Sequence, residues 1–332
     1  MVVTFGEALV DLIEQHNGRF AAVLGGSVCN FTLAVARQGM AVTYLNPLSQ
    51  DSFGQRFADY LADAGVHLAS TARSAKPTSL AVVTLDAQKM PTYSFHRAAV
   101  ADRDISPAQA CAALPPGLAL FHTGGLALVP DDIAATLQVI EAAAGAGALV
   151  SVDANMRPMV CPDLPAYAAG VRTALALANI IKVSEEDLVH LGFGDLAPVD
   201  AARALFDAPA VKLVALTLGE QGGVLISRQA SVQLGIPAGV DVVDTVGAGD
   251  CFLAGLVASL HRAGKLTLDG LANLDQATLE HALEFAIATA SLNVMEEGCS
   301  PPTSDEVKEY LDRGARRVDD LSMFMCSDRD LI

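Results

Sequence analysis

Short apolar runs alternate with segments of helical periodicity along most of the chain. Val2–Phe5, Val42–Leu45, Leu118–His122, Ala148–Asp153, Ile180–Val183, Leu213–Leu218 and Gly223–Ile226 are the apolar runs. Their pattern predicts strands buried on both faces. Between several of them, Asn30–Gly39, Gly54–Gly65, Asp131–Gly145 and Leu164–Ala178 predict helices from the spacing of their apolar side chains. Apolar strands joined by crossover helices make an α/β protein with a mostly parallel sheet covered on both faces. End signals agree: Ser184-Glu185-Glu186-Asp187 ahead of Leu188 reads as a cap with an acidic first turn.

Two segments break this rhythm. Val10–Leu24 and Ser79–His96 are β-rich and alternate, as in Leu80-Ala81-Val82-Val83-Thr84-Leu85 and Thr92-Tyr93-Ser94-Phe95, and Asn17-Gly18 is a hairpin turn signal. They predict a small strand set inserted among the early βα units, placed to form a lid. Further on, Asp241-Val242-Val243 reads as a strand end, and residues 251–263 carry Phe252, Leu256 and Leu260 at helical spacing. The stretch between, Asp244-Thr245-Val246-Gly247-Ala248-Gly249-Asp250, is then a glycine-rich turn opening a helix.

That turn carries the chemistry. Gly247 and Gly249 let the backbone approach a ligand. The free N–H groups of Gly247, Ala248 and Gly249, with the positive end of the helix dipole, form an anion site. Asp250 adds a carboxylate beside that site, which is useful where a hydroxyl must be deprotonated to attack phosphorus. Anion hole and base in one turn point to phosphoryl transfer to an alcohol, with Asp250 as the base.

The 332 residues are 52% hydrophobic, enough for one large α/β core. A net charge of −17 disfavours nucleic acid and anionic membrane surfaces. It also opposes ATP, so a divalent cation, Mg²⁺, is expected to travel with the nucleotide. Cys29, Cys111, Cys161, Cys251, Cys299 and Cys326 form no C-x-x-C pair and read as free thiols of a reducing cytoplasm. The seven histidines form no metal-ligand cluster. Met1-Val2-Val3-Thr4-Phe5 lacks a basic region and reads as a first strand, not a signal peptide. The uncharged run Ile105–Pro130 is broken by prolines and glycines and predicts no spanning helix. The tail from Arg313 to Ile332 is charged and mixed, a surface helix or a partly disordered end.

The turn Asp244–Asp250 resembles the D-T-x-G-A-G-D signature of the ribokinase-like, or PfkB, carbohydrate kinases. Gly6-Glu7-Ala8-Leu9-Val10-Asp11 and Gly25-Gly26-Ser27-Val28-Cys29-Asn30 are similar to that family's G-E-x-L-x-D and G-G-x-x-x-N. On their own, Asp11 can accept sugar hydroxyls, Gly25 and Gly26 can bring backbone to a ligand, and Asn30 can donate and accept. A solvated loop acid and a helix-capping Asn account for the same residues. Asp153-Ala154-Asn155-Met156-Arg157 resembles the D-x-N-x-R element of fructokinases and 2-keto-3-deoxygluconate kinases. It implies that Asn155 reaches nucleotide phosphate or metal water, and Arg157 a hydroxyl or phosphate of the substrate. Ile180 to Asp187 is close to a fructokinase segment, and puts Lys182 and Ser184 on the nucleotide side. It departs from the broader N-x-x-E pattern, since Ser184 replaces Asn and Asp187 replaces Glu. Asp187 then organises Mg²⁺ through water, or capping alone accounts for the pair.

Thr217-Leu218-Gly219-Glu220-Gln221-Gly222 resembles a T-x-G-x-x-G nucleotide loop, although any hairpin can use these glycines. Ile287 stands where many relatives have the Asn of F-A-N, which leaves adenine to small apolar residues and Asn293. Tyr93, Phe95 and Arg97 sit on the expected lid, with Arg97 the best placed to meet the sugar.

The resemblance runs from Gly6 to Thr303. It implies one three-layer ribokinase-like domain over residues 1–332, with a β-sheet lid from about residues 10–24 and 79–103. It implies ATP and Mg²⁺, leaves open a K⁺ ion near Asp244 and the Val246 carbonyl, and allows a homodimer through the lid. Two carboxylates in the pocket, Asp11 and Asp250, favour a neutral sugar, with fructose first. 2-Keto-3-deoxygluconate is the runner-up, with Arg97 and Arg157 as its cations; ribose and aminoimidazole riboside are further alternatives. A non-catalytic sugar- or nucleotide-binding regulator is the reading from another class, and the intact base and anion hole weigh against it. No G-x-x-x-x-G-K-[ST] is present, and no G-x-G-x-x-G follows the first strand, so P-loop and Rossmann enzymes do not fit.

Overall fold

The structure is a computed structural model that describes residues 1–15, 17–85 and 91–314. Its strands are β1 (Val2–Thr4), β2 (Leu9–Glu14), β3 (Phe20–Gly25), β4 (Val42–Tyr44), β5 (His67–Leu68), β6 (Ser79–Leu85), β7 (Pro91–His96), β8 (Leu120–Gly124), β9 (Leu149–Asp153), β10 (Ile180–Ser184), β11 (Leu213–Thr217), β12 (Gly223–Ser227) and β13 (Ser231–Leu234). Nine of them form one sheet in the order β13-β12-β11-β10-β9-β8-β1-β4-β5. From β5 to β11 every pair is parallel, and β12 and β13 add antiparallel at one edge.

Alternation within the strands explains the three layers. Val3, Phe121, Val150, Ile181 and Val214 point into one apolar core with Val139 and Tyr167. Their neighbours Val2, Leu120, Leu149, Ile180 and Leu213 point into a second core with Phe31, Leu253 and Leu279. Helices Ile133–Gly145 and Leu164–Leu177 thus cover one face, and Ser27–Arg37, Ala248–Arg262 and Gln276–Val294 the other.

The remaining strands form a separate sheet in the order β3-β2-β6-β7. Here β2 pairs antiparallel with β3 and parallel with β6, and β6 pairs antiparallel with β7. The expected strand set is therefore real. The Asn17-Gly18 turn closes its first hairpin, where Gln15 N–H donates to the Arg19 carbonyl.

Strand order locates the site. The chain leaves β1 towards β4 and β5, then crosses back to β8 on the other side of β1. Ligands of open α/β sheets sit at such a switch point, outside the carboxyl ends of the strands. Glu7 follows β1, Gly124 ends β8 with Gly125 just after it, and Asp153 to Arg157 leave β9.

Several expected boundaries move. Asp241–Val243 is not a strand: Val242 and Val243 are 61% and 64% exposed, and the backbone is clipped to the end of the helix Gln276–Val294 through Val243 N–H and the Val294 carbonyl. The expected helix at 251–263 begins at Ala248, because Gly247 in the left-handed region already turns the chain. β8 runs two residues later than its apolar run, through His122 to Gly124. The edge strands β5 and β13 escape the pattern, being two and four residues long. No helix among the described residues is long and apolar enough to cross a membrane. Cys326 and the tail beyond Gly314 lie outside the described residues.

Candidate active site

A cavity of about 590 Å³ lies between the small sheet and the carboxyl ends of β1, β8, β9 and β10. The turn Asp244–Asp250 forms one wall of it. Gly247 has φ 76° and caps the helix Ala248–Arg262. A side chain there would be strained by that φ and would also collide with Cys299 Sγ. A Cβ on Gly249 would stand 2.8 Å from Lys182 Nζ. The glycines thus allow the turn to lie against Cys299 on one side and a buried lysine on the other, with the first amides of a 15-residue helix at the cavity.

Asp250 sits in the first turn of that helix and is 6% exposed. Ser27 Oγ donates to its Oδ1 at 2.8 Å, and Asn30 Nδ2 to its Oδ2 at 3.0 Å. Both donors come from the helix Ser27–Arg37, more than 200 residues away in sequence. Burial pushes the Asp250 carboxyl above its ordinary range, while the Lys182 ammonium and the bonds from Asn30 and Ser27 pull it down. Lys182 is buried and pairs with Asp153 at 3.1 Å. Burial alone would lower its pKa, but Asp153, Asp187 and Asp250 overcome that and raise it, so it carries charge. A buried carboxylate of raised basicity, next to a fixed cation and a helix N-terminus, can take a proton from a hydroxyl at the cavity.

Opposite this wall, β2 sends Asp11 into the cavity, while Val83, Tyr93 and Phe95 of β6 and β7 line the same face. Tyr93 and Phe95 stack with centroids 6.0 Å apart. Asp11 Oδ2 lies where a Cβ on Gly25 would be 2.7 Å away, so Gly25 leaves its carboxylate room. Burial raises the Asp11 pKa to about 6, against the opposing charge of Arg157. Arg157 lines the cavity, with Nη1 donating to the carbonyls of Asn155 and Met156. Asn155 also lines it, and its Nδ2 donates to Ser27 Oγ at 2.8 Å. Gly26 completes this side as the residue before the first helical turn.

Other expected site residues take different places. Arg97 lines a neighbouring cavity of about 340 Å³, where its guanidinium pairs with Asp132 at 3.3 Å and Asp102 at 3.7 Å, and donates to the Leu126 carbonyl. Asp187 closes a capping box with Ser184, and its Oδ1 accepts Met156 N–H at 2.8 Å. Both of its oxygens hold backbone in place, and it is Glu186 that lines the cavity. Thr217, Gly219 and Gly222 shape the turn between β11 and β12 and do not line the cavity. Asn293 is fully buried: its Nδ2 donates to the Val246 carbonyl, and its Oδ1 accepts Ser300 N–H. It braces the back of the anion turn. Asp244 accepts Val246 N–H and Gly298 N–H, so its carboxylate also builds the turn.

Three residues carry more than the sequence assigned to them. Ser27 bonds the base directly. Glu7 accepts Ser27 N–H at 3.0 Å, and burial raises its pKa to about 7 against the pull of Arg97. Asp153, also raised to about 7 by burial, is the partner of Lys182. All three stand inside the G-E, G-G-x-x-x-N and D-x-N-x-R elements. The available signal was a charged or polar residue within a run that is otherwise buried.

Comparison with known proteins places this geometry. The sequence pattern described as pfkB family carbohydrate kinase matches residues 1–306. The chain is 32% identical to fructokinase-1 of Oryza sativa subsp. japonica over 324 residues, covering 94% of this chain and 98% of the relative. A fructokinase from Vibrio cholerae O395, solved with fructose, ADP and a calcium ion, superposes with a TM-score of 0.76 at 25% identity, covering 93% of this chain and 98% of the other. Aminoimidazole riboside kinase from Salmonella enterica, solved with aminoimidazole riboside and an ATP analogue, does so with a TM-score of 0.78 at 27% identity, covering 94% and 100%. With the motifs, the three-layer sheet and the match over nearly its whole described length, the chain belongs to the pfkB family of carbohydrate kinases and is an ATP-dependent sugar kinase.

Proposed function

We propose that the protein transfers the γ-phosphoryl group of ATP to a hydroxyl of a neutral sugar, fructose first, giving fructose 6-phosphate. The observation that carries this reading is the meeting of Asp250, the helix N-terminus and Asp11 in one cavity. Asp11 and Asn30 hold sugar hydroxyls, and Arg157 steadies the substrate from the β9 side. Asp250 takes the proton of the attacking hydroxyl, and the Gly247, Ala248 and Gly249 amides meet the charge on the transferring phosphoryl group. Lys182 adds a fixed positive charge beside them. The small sheet is the lid, carrying Tyr93 and Phe95 over the sugar and keeping water away from the phosphate.

The donor set for metal fits a hydrated ion better than a direct one. No group of three His, Cys, Asp or Glu among the described residues is placed to hold a metal. Mg²⁺ would supply charge neutralisation on the nucleotide oxygens, with Glu186 at the cavity edge as its water-mediated partner in place of Asp187. Thr217, Gly219 and Gly222 are kept as the loop over which the nucleotide extends. A K⁺ ion at Asp244 and the Val246 carbonyl would share oxygens that already accept backbone or side-chain N–H groups.

Fructose is preferred to 2-keto-3-deoxygluconate because Arg97, one of the two cations expected to meet a sugar acid, is committed to Asp102 and Asp132. Five free cysteines among the described residues support a reducing cytoplasm. The outer edge strand β7, exposed at Thr92, Tyr93 and Ser94, supports a homodimer through the lid, to be tested by sedimentation. The deciding experiment is coupled ADP release over a panel of fructose, ribose, 2-keto-3-deoxygluconate and aminoimidazole riboside. The highest kcat/KM is expected for fructose; a higher value for another sugar would replace it, and no sugar-dependent ADP release would reopen the binding-protein reading.

A further inference from the structure

Ser27 stands at a junction that the phosphoryl-transfer mechanism above does not require. Its hydroxyl donates to Asp250 Oδ1 at 2.8 Å and accepts from Asn155 Nδ2 at 2.8 Å. Its backbone N–H donates to Glu7 Oε1 at 3.0 Å. One residue thus ties together the loop after β1, the loop after β9 and the helix that carries the base. Ser27 is itself 9% exposed, so water competes poorly for these bonds. Asn155 has φ 34°, an uncommon value for a residue other than glycine, and its side-chain amide is aimed at Ser27.

The geometry points to Ser27 as a positioning residue for the reaction: its hydroxyl fixes the orientation and the basicity of Asp250 and links both to the loop that carries Asn155 and Arg157. This rests on the reading of Asp250 as the base. A hydroxyl that donates to a carboxylate stabilises its charged form. Burial raises the Asp250 pKa, and the bond from Ser27 acts with the Lys182 charge and the bond from Asn30 against that rise, in favour of the charged form. The other charged or titratable groups around Asp250 are Asp153 behind Lys182, Arg157 across the cavity, Glu7 behind Ser27, and the thiols of Cys29 and Cys251. Cys29 and Cys251 are pushed upward by burial and remain neutral. Lys182 holds its charge with its pKa raised, so the acid limb of turnover belongs to the carboxylates.

The test compares wild type, S27A, S27T and D250N by ADP release across pH, with the sugar that the panel selects. S27A removes one hydroxyl and leaves the Glu7 bond to the backbone. The acid limb of kcat should move upward by about one pH unit in S27A, the scale of one lost hydrogen bond to a charged group. At a pH below the limb this is about a tenfold loss of kcat, while KM for the sugar changes by no more than about twofold. S27T keeps a hydroxyl and should restore the limb. If D250N is inactive and the S27A limb matches wild type, the Ser27 proposal is wrong and the base stands. A rise in sugar KM with an unmoved limb would make Ser27 a substrate contact, and a lower melting temperature with unchanged kinetics would make it structural; either overturns the proposal. An active D250N would instead remove the base itself. A limb in S27T that stays with S27A would show that the hydroxyl is not the agent.

Discussion

Asp250→Asn isolates the proton-transfer role. The substitution keeps the shape of a 6%-exposed side chain and leaves Oδ1 to accept from Ser27. The new amide nitrogen faces Asn30 Nδ2 at the former 3.0 Å bond, a donor against a donor, which Asn30 relieves by turning its own amide. Lys182 keeps Asp153 as its partner at 3.1 Å, so no buried cation is stranded. Folding should therefore survive, and the cost of holding a buried negative charge at position 250 disappears. The loss falls on chemistry. Removing a general base typically costs on the order of 10²–10⁴ in rate, or about 3–5 kcal/mol of barrier. The assay is coupled ADP release at saturating sugar and ATP, with calorimetric titration of sugar and nucleotide in parallel. Expected are a kcat reduced at least a hundredfold, near-normal affinity for both ligands, and a melting temperature within a few degrees of wild type. A near wild-type kcat would refute the argument, because no other carboxylate among the described residues that line the cavity is bonded to Asn30 and placed in the first turn of the helix Ala248–Arg262.

Further outcomes follow from other contacts. Gly249→Val brings a Cβ to 2.8 Å from Lys182 Nζ and should lower kcat about a hundredfold with little change in sugar affinity; a lost affinity with intact turnover would reverse the two subsites. Asp11→Ala should raise the sugar KM by about tenfold or more, the value of a hydrogen bond to a charged group. In wild type that KM should climb as pH falls through about 6, where Asp11 takes a proton, and Asp11→Asn should remove the climb. Arg97→Ala should leave sugar choice unchanged but cost about 3–5 kcal/mol in chemical denaturation, since Asp102 would be left buried without its cation. Glu7 and Asp153 are raised to about 7, so the folded protein holds protons that the unfolded chain has released above about pH 4. Stability should therefore fall as pH rises from about 4 to 7 and level beyond it, with a shallower slope in Glu7→Gln; a melting temperature that climbs across that window would contradict the burial argument.

What was legible in the sequence is what local physics decides. The two-sided strands follow from apolar runs, and the turn at Gly247 follows from a left-handed residue opening a helix. Asp250, Asp11 and Arg157 were placed with their motifs, and they meet at one cavity. What stayed hidden depends on chain crossings. Ser27 and Asp250 are 223 positions apart, and Asn293 meets the Val246 carbonyl across 47. Arg97 shows a subtler limit. Alternation along β7 puts Tyr93 and Phe95 on the cavity face, and Arg97 would come next. The strand ends at His96, however, and Ala99 turns the chain with φ 52°, so Arg97 leaves that face for Asp102 and Asp132. Asp187 is a mixed case: local capping, one of the two readings it allowed, uses its Oδ2, while its Oδ1 is taken by the Met156 N–H from 31 positions away.

The relocation of Arg97 bears on the sugar. Among the charged groups of the described residues that line the cavity, Asp11, Glu7, Asp244, Asp250 and Glu186 are acids, and Arg157 and Lys182 are bases. Lys182 is already paired with Asp153. Arg157 is half-turned back onto the Asn155 and Met156 carbonyls. A sugar carboxylate would therefore enter beside an excess of negative charge, at a short distance and in a partly desolvated space where screening is weak. Hydroxyl groups face no such penalty, because they donate to the carboxylates that line the pocket. Similar TM-scores of 0.76 and 0.78 to a fructokinase and to a riboside kinase mean that the backbone does not choose between neutral substrates. On the roles proposed for Asp11, Asn30 and Asp250, the choice lies in which hydroxyls reach the first two while one stands at the third. That requirement would select among neutral sugars by shape, while the charge of the lining weighs against a sugar acid.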